Sequence, residues 1–388
     1  MWKVPLSDLL VDDEIVKAVG EAAASGWWSM GPRVEEFEAA FASYVSCRHA
    51  IAVSSGSAAL HLALVATGCG PGDEVVLPAL NFVAAANAVV HTGARPVLCD
   101  IRGAADLNLD PEDVEKSIGA STKALLVLHY GGYCCDIDAI LDVARRHHLV
   151  VIEDAAHALG ASWRGRMCGT FGDVGCFSFF SNKNLAVGEG GMVVTDDDEA
   201  ARRIRLLRSH GMTALTWARH QGHAHSYDVV APGFNYRFDE LRAAIGLVQL
   251  KRLDASNRTR GRIAARYRRD LDGADGITIP FGDQDKATSA HHLATLVLPR
   301  PELQAPMRGY LRDRGIQTSL HYPPIHRFSE YFREPHRNLP MTDDVSDRLI
   351  TLPLYPHMGE EQVGLVVDAV LEYMTSAGTS MLARADES

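Results

Sequence analysis

Val174-Gly-Cys-Phe-Ser-Phe-Phe-Ser-Asn-Lys183-Asn-Leu-Ala-Val-Gly-Glu-Gly-Gly-Met-Val-Val-Thr-Asp196 holds one lysine between two apolar runs. Residues 174–180 and 192–195 read as buried strands, being short, apolar and bounded by turn formers. Lys183 is the only charge before Glu189, and Gly188, Gly190 and Gly191 permit tight or left-handed turns beside it. An amine held between buried strands loses hydration. The ammonium form is then disfavoured, the pKa falls, and the neutral amine becomes a nucleophile toward carbonyl carbons. Taken alone, the stretch reads more readily as a surface lysine in a Gly-rich turn, and the rest of the chain reverses that preference.

Upstream, strand patterns at 74–77, 96–100, 123–129 and 149–153 alternate with helical patterns at 81–92, 111–117 and 137–147. Such alternation predicts a mostly parallel sheet with helices on both faces, and ligands at the carboxyl ends of its strands. Four groups fall there: Ser55 to Ser57, Asn81 with Phe82, Asp154 with His157, and Ser178 with Lys183. The first is a Ser-Ser-Gly-Ser turn between a short strand and an Ala/Leu-rich helix. Small residues at a helix start, with its partial positive charge, suit a phosphate. No lysine follows the glycine and no Gly-x-Gly-x-x-Gly is present, so this is neither a P-loop nor a dinucleotide fingerprint; read alone it is a Ser/Gly helix cap. A single bound cofactor accounts for all four groups, which separate loops explain only as coincidences.

The remaining segments are read from the same patterns. Residues 1–12 form a lead, and helices at 14–25 and 33–44 flank a loop with Trp27 and Trp28, readable as packing anchors or ligand contacts. Residues 206–230 form a long connection with His210, His220, His223 and His225. Only Asp228 could join those histidines, so no metal is expected, and 210–225 reads as a mobile cover over a site. A helix capped by Asp239 runs to about residue 270 and joins two lobes. Beyond 276 the pattern is α+β, with strands at 277–279, 292–298 and 317–321 and helices at 307–314, 342–349 and 360–374. The division expected is a lead over 1–12 packing on the small domain, a large domain over 13–250, a small domain over 251–375 and a flexible tail over 376–388.

The 388 residues exceed one compact core, and the net charge of -11 disfavours nucleic acid and anionic membranes as partners. No apolar run approaches the roughly 20 residues of a membrane span, and the first ten residues lack a signal-peptide core. Seven cysteines without Cys-x-x-Cys spacing read as reduced thiols of a cytoplasmic protein.

Five blocks together resemble the DegT/DnrJ/StrS family of sugar aminotransferases. They are Ser55-Gly-Ser-Ala-Ala-Leu-His-Leu-Ala-Leu64, Glu153-Asp-Ala-Ala-His-Ala-Leu-Gly-Ala161, Phe177-Ser-Phe-Phe-Ser-Asn-Lys-Asn-Leu185, Gly188-Glu-Gly-Gly-Met-Val193 and Gly233-Phe-Asn-Tyr-Arg237. The resemblance implies the fold type I architecture of pyridoxal 5'-phosphate (PLP) enzymes: a mostly parallel seven-stranded sheet flanked by helices, plus a smaller α+β C-terminal domain. It implies that Lys183 forms a Schiff base with the cofactor and that Asp154 keeps the pyridine nitrogen protonated. Gly56, Ser57 and Ser178 would hold the phosphate, Phe82 would stack on the ring, and His157 would lie near its phenolic oxygen. Many relatives have glutamine in place of His157. Asn235 would reach the cofactor of a second copy, which implies a homodimer with shared active sites. Related dehydratases carry histidine in place of the lysine, so Lys183 implies transamination.

The implied reaction takes the amine of L-glutamate, or L-glutamine, to a keto sugar, most often nucleotide-linked. A cyclitol ketone in an antibiotic pathway, a PLP lyase or oxidative decarboxylase, and a non-catalytic scaffold are the alternatives. Trp28, Arg33, Arg237, His321 and Tyr322 are the substrate-contact candidates, and Arg208 and Arg327 are further cations for a diphosphate, each readable instead as an ion-pair residue.

Overall fold

The computed structural model describes the chain except residues 1, 215–216, 218–219, 223–225, 283–286, 332–336 and 386–388, and except the side chains of 377–385. His223 and His225 of the His-rich connection therefore lie outside the described residues. Seven strands form the main sheet: β1 (His49–Val53), β2 (Glu74–Pro78), β3 (Arg95–Cys99), β4 (Thr122–Leu128), β5 (Val150–Asp154), β6 (Val174–Ser178) and β7 (Gly191–Thr195). Their order is β1-β7-β6-β5-β4-β2-β3. All neighbours are parallel except β7, which runs antiparallel to both β1 and β6. This is the mostly parallel seven-stranded sheet expected.

Helices cover both faces because the strands are apolar on both. Along β6 and β7, Phe177, Met192 and Val194 join one core with Phe37, Phe41 and Phe238, while Val174, Cys176 and Val193 join a second with Leu60, Leu62 and Ile204. Successive residues feed opposite faces, as the strand period of two requires. The first core lies under α2 (Pro32–Val45), the helix that follows α1 (Asp13–Ala24), and the second under α3 (Gly56–Ala66) and α4 (Ala84–His91). Short α5 (Pro111–Ser117), α6 (Ile137–His147) and α7 (Asp198–Arg208) complete the layers. Gly175 in β6 is required by a close approach, since a Cβ there would lie 1.9 Å from the Gly169 carbonyl oxygen.

The 32-residue helix α8 (Glu240–Leu271) starts at a cap in which Asp239 Oδ1 accepts the Arg242 N–H at 2.9 Å. Its first half supplies Ala243 and Leu253 to the core containing Phe37. Its second half supplies Ile263, Tyr267 and Leu271 to a separate core with Leu296, Met307 and Ile350. That core is built on antiparallel β8 (Ala294–Val297) and β9 (Leu349–Leu352), with α9 (Gln304–Asp313) and α11 (Glu360–Ala385), while α10 (Pro340–Ser346) gives Val345 to a smaller core with Leu80, Ile101 and Tyr130. Val4 of the lead pairs with Ile316 beside it.

Several elements differ from expectation. The helix expected at 81 begins at Ala84, because Asn81 Oδ1 accepts the Phe82 N–H at 2.6 Å and folds the segment into a turn. Helix α7, capped by Asp197, was not foreseen. Residues 277–279 and 317–321 make only the isolated bridges Thr278 with Val297 and Ser319 with Thr351. Residues 349–352 are a strand and not a helix end. The last helix continues to Ala385, through most of the segment expected as a flexible tail. No helix among the described residues is long and apolar enough to cross a membrane.

Candidate active site

The carboxyl ends of β1, β5 and β6 open into one cavity of about 420 Å³. At its first wall, Ser55 caps α3 by accepting the Ala58 N–H at 3.1 Å. The first N–H groups of a helix have no partner within it, so α3 presents them at this end. A Cβ on Gly56 would lie 2.8 Å from Ser178 Cβ. The turn and the end of β6 therefore meet closely around backbone donors, which is the cradle a phosphate needs.

Asp154 closes β5 and is 5% exposed. Burial raises its carboxyl above the usual range, opposed by the Ala156 N–H, 3.2 Å from Oδ1, and by the charge of Lys183. Lys183 lies in the turn after β6, its backbone N–H bonded to the Phe180 carbonyl at 2.8 Å. It keeps some accessible surface, in the cavity wall, but protein crowds its amine. That burial pushes its pKa down to about 8, against the pull of Asp154. Asn81 Nδ2 and Asn182 Oδ1, of two residues in the wall, are buried without a protein partner.

His157 Nδ1 accepts the Gly131 N–H at 3.3 Å, so the neutral ring carries its proton on Nε2, 2.8 Å from Tyr322 Oη. Burial and the nearby Lys183 hold its pKa well below the ordinary histidine value. The Tyr322 ring is 5.6 Å from that of Phe82, whose side is open to solvent. His321 is nearly buried, with Nδ1 3.0 Å from Thr351 Oγ1, and burial and Lys183 push it down to about 4.

The cavity wall thus contains Gly56, Ser57, Phe82, Asp154, His157, Ser178, Lys183, His321 and Tyr322. It does not contain Trp28, Arg33, Asn235 or Arg237. Trp28 is exposed and donates from Nε1 to the Ala23 carbonyl at 3.0 Å, an anchor of the loop after α1. Arg33 opens α2, its backbone N–H on Glu240. Asn235 is exposed and Arg237 half-buried on the loop before α8. Two cations assigned to a diphosphate are already occupied. Arg208 is buried on Glu38 and the Ala52 carbonyl, and Arg327 pairs with Asp343 and Asp347. His292 was missed; its Nδ1 is 3.0 Å from Asn184 Oδ1 and its ring 4.6 Å from that of His157. Nothing local in the His291-His292 pair signals this placement. Away from the cavity, His129, Cys134 and Cys168 have ligand atoms within 4.8 Å of one another. The His129 nitrogens are engaged by Glu153 Oε2 at 2.8 Å and the Cys135 N–H at 3.2 Å.

An anion cradle, a buried acid and a depressed lysine in one cavity fit PLP, whose phosphate, ring nitrogen and aldehyde call for those three functions, and the unpartnered amides offer further polar contacts. Comparison with known proteins agrees. The profile of the DegT/DnrJ/EryC1/StrS aminotransferase family matches residues 10–371. The spore coat polysaccharide biosynthesis protein SpsC of Bacillus subtilis is 41% identical over 382 residues, covering 96% of this chain and 98% of that one. The aminotransferase TlmJ from Streptoalloteichus hindustanus superposes with TM-score 0.91 at 36% identity, covering 97% of this chain and all 100% of TlmJ. DesV from S. venezuelae, solved in complex with a ketimine intermediate, gives TM-score 0.88 at 38% identity over 96% of this chain and 99% of its own. Sequence blocks, sheet order and cavity converge on one conclusion: this chain belongs to the DegT/DnrJ/EryC1/StrS aminotransferase family, whose members are PLP-dependent enzymes.

Proposed function

We propose that the chain moves the amino group of L-glutamate, or alternatively L-glutamine, to a keto sugar linked to a nucleoside diphosphate. The observation that carries this reading is Lys183, depressed to about 8 and sharing a cavity with buried Asp154. PLP, when bound, supplies the electron sink that makes the donor's α-proton removable. Lys183 offers a neutral amine to the cofactor's aldehyde and, once displaced, takes and returns a proton near neutral pH. Asp154 holds the proton of the ring nitrogen. Gly56, Ser57 and Ser178 bind the phosphate, and Phe82 covers the ring. His157 donates through Nε2 to Tyr322, which leaves the Tyr322 O–H free to donate into the cavity.

The sugar assignment draws on SpsC, named for polysaccharide biosynthesis. Asn235 and Arg237, outside the cavity of their own chain, are assigned to the cofactor and acceptor phosphates of a second copy, which makes the working unit a homodimer. A one-chain mass by light scattering would exclude it. Seven unpaired cysteines fit a reducing, cytoplasmic setting. The test is the near-visible absorbance of protein with PLP, before and after each donor. A band that collapses with one donor names it, and Lys183→Ala should lack both band and turnover. Full activity in that variant overturns the reading.

A further inference from the structure

A second cavity of about 230 Å³ shares Lys183 with the first. Its wall also includes Asp8, Asn184, Arg252, Arg260 and His357. Most charges there are matched within the chain. Arg252 pairs with Asp12 and Glu14, and Asp8 Oδ2 lies 3.0 Å from His357 Nε2. Arg260 is the exception. It is 4% exposed, donates from Nη1 to the Leu354 carbonyl at 2.9 Å, and its Nε has no partner. No carboxylate among the described residues forms an ion pair with it, and burial pushes its guanidinium down to about 10 with nothing opposing.

A buried cation without a counter-ion is costly, and it persists where something else supplies the negative charge. Here the uncompensated guanidinium borders a cavity lined in part by Lys183, the residue whose amine must be displaced by the donor. We propose that Arg260 is the counter-ion for a carboxylate of the amino donor, held in this second cavity while its amine is delivered at Lys183. The inference rests on the aminotransferase reading above. A planar guanidinium suits a carboxylate because it offers two parallel N–H donors. The consequence is a division of labour: the smaller cavity selects amino acids over simple amines, and the larger one is left to the acceptor.

The test uses the PLP-loaded enzyme and follows loss of the near-visible band with L-glutamate. Glutarate, a dicarboxylate without an amine, serves as an unreactive competitor. Arg260→Gln should raise the apparent Kd for L-glutamate about thirtyfold or more, the expected cost of truncating one partner of a buried charge pair. The limiting rate should change only a few-fold, glutarate should cease to compete, and Arg260→Lys should fall between. Ser256→Phe, which narrows the same cavity one turn before Arg260 and keeps the guanidinium, should weaken L-glutamate in parallel. An unchanged Kd in Arg260→Gln overturns the proposal. If that variant fails to hold PLP, an unchanged Kd in Ser256→Phe does so. Absence of any band in the unmodified enzyme would instead defeat the aminotransferase reading itself.

Discussion

The depressed pKa of Lys183 makes a quantitative claim about how fast the empty protein captures its cofactor. Only the neutral amine attacks an aldehyde. With a pKa of about 8 instead of the ordinary 10.5, the neutral fraction at pH 7 rises from about 0.03% to about 9%, a few hundredfold gain. The capture rate should therefore climb with unit slope from pH 6 and level off near 8. Burial sets this value and the negative Asp154 opposes it, so the sign for Asp154→Asn is fixed. Removing the carboxylate charge removes what stabilises the ammonium, and the inflection must move further down. Asp154→Asn should thus capture PLP faster than the parent at pH 6.5 while turning over far more slowly, because the ring nitrogen would lose the carboxylate that keeps it protonated. Stopped-flow absorbance, normalised to butylamine in the same buffers to remove the titration of PLP itself, measures both curves. An inflection near 10.5 in the parent, or one that rises in the variant, refutes the argument.

Two further outcomes follow from the same geometry. Glu153 is wholly buried and its carboxylate accepts the N–H groups of Gly169 at 2.7 Å and Gly172 at 2.6 Å and faces His129 Nε2 at 2.8 Å. Glu153→Gln turns an NH₂ toward one of these donors and should cost about 3–5 kcal/mol in urea unfolding; a loss under about 1 kcal/mol would contradict it. Gly56→Ala puts a Cβ 2.8 Å from Ser178 Cβ and should push the two halves of the cradle apart. Titration of the variant should show weakened PLP but unchanged pyridoxal, which lacks the phosphate, and equal weakening of both would remove the turn from phosphate binding.

The main sheet was legible because its strands are apolar on both faces and punctuated by Gly, Pro and Asp, so β2, β4, β5 and β6 appear as separate runs. Its carboxyl ends could then be listed, and Gly56, Asp154, Ser178 and Lys183 do line one cavity. The small domain was harder. Leu349 to Leu352 is a four-residue apolar strand that sequence alone does not separate from the end of a helix. Thr278 and Ser319 lie in β-like sequence but each finds one bridge. Long-range partners decided the arginines. Glu38, 170 residues from Arg208, occupies it, and no local pattern reveals that pairing. Arg260 shows the converse: it reads as one more charge on an amphipathic helix, and its isolation is visible only once α8 is packed. His292 is similarly silent until Asn184 meets it.

Helix α8 has a consequence for anyone redesigning this scaffold. At about 1.5 Å per residue its 32 residues make a strut roughly 48 Å long, running unbroken from one core into the other. A chimaera spliced at residue 250 would join half-faces from two parents inside one helix, so that Leu253 of the second parent would have to pack with Ala243 and Phe37 of the first, while Ile263 and Tyr267 keep their own core. A one-residue error of phase there rotates the distal half by about 100° and turns Tyr267 away from its core. Exchange of acceptor preference between relatives is better attempted in the loops around the cavity, with the strut inherited whole from a single parent.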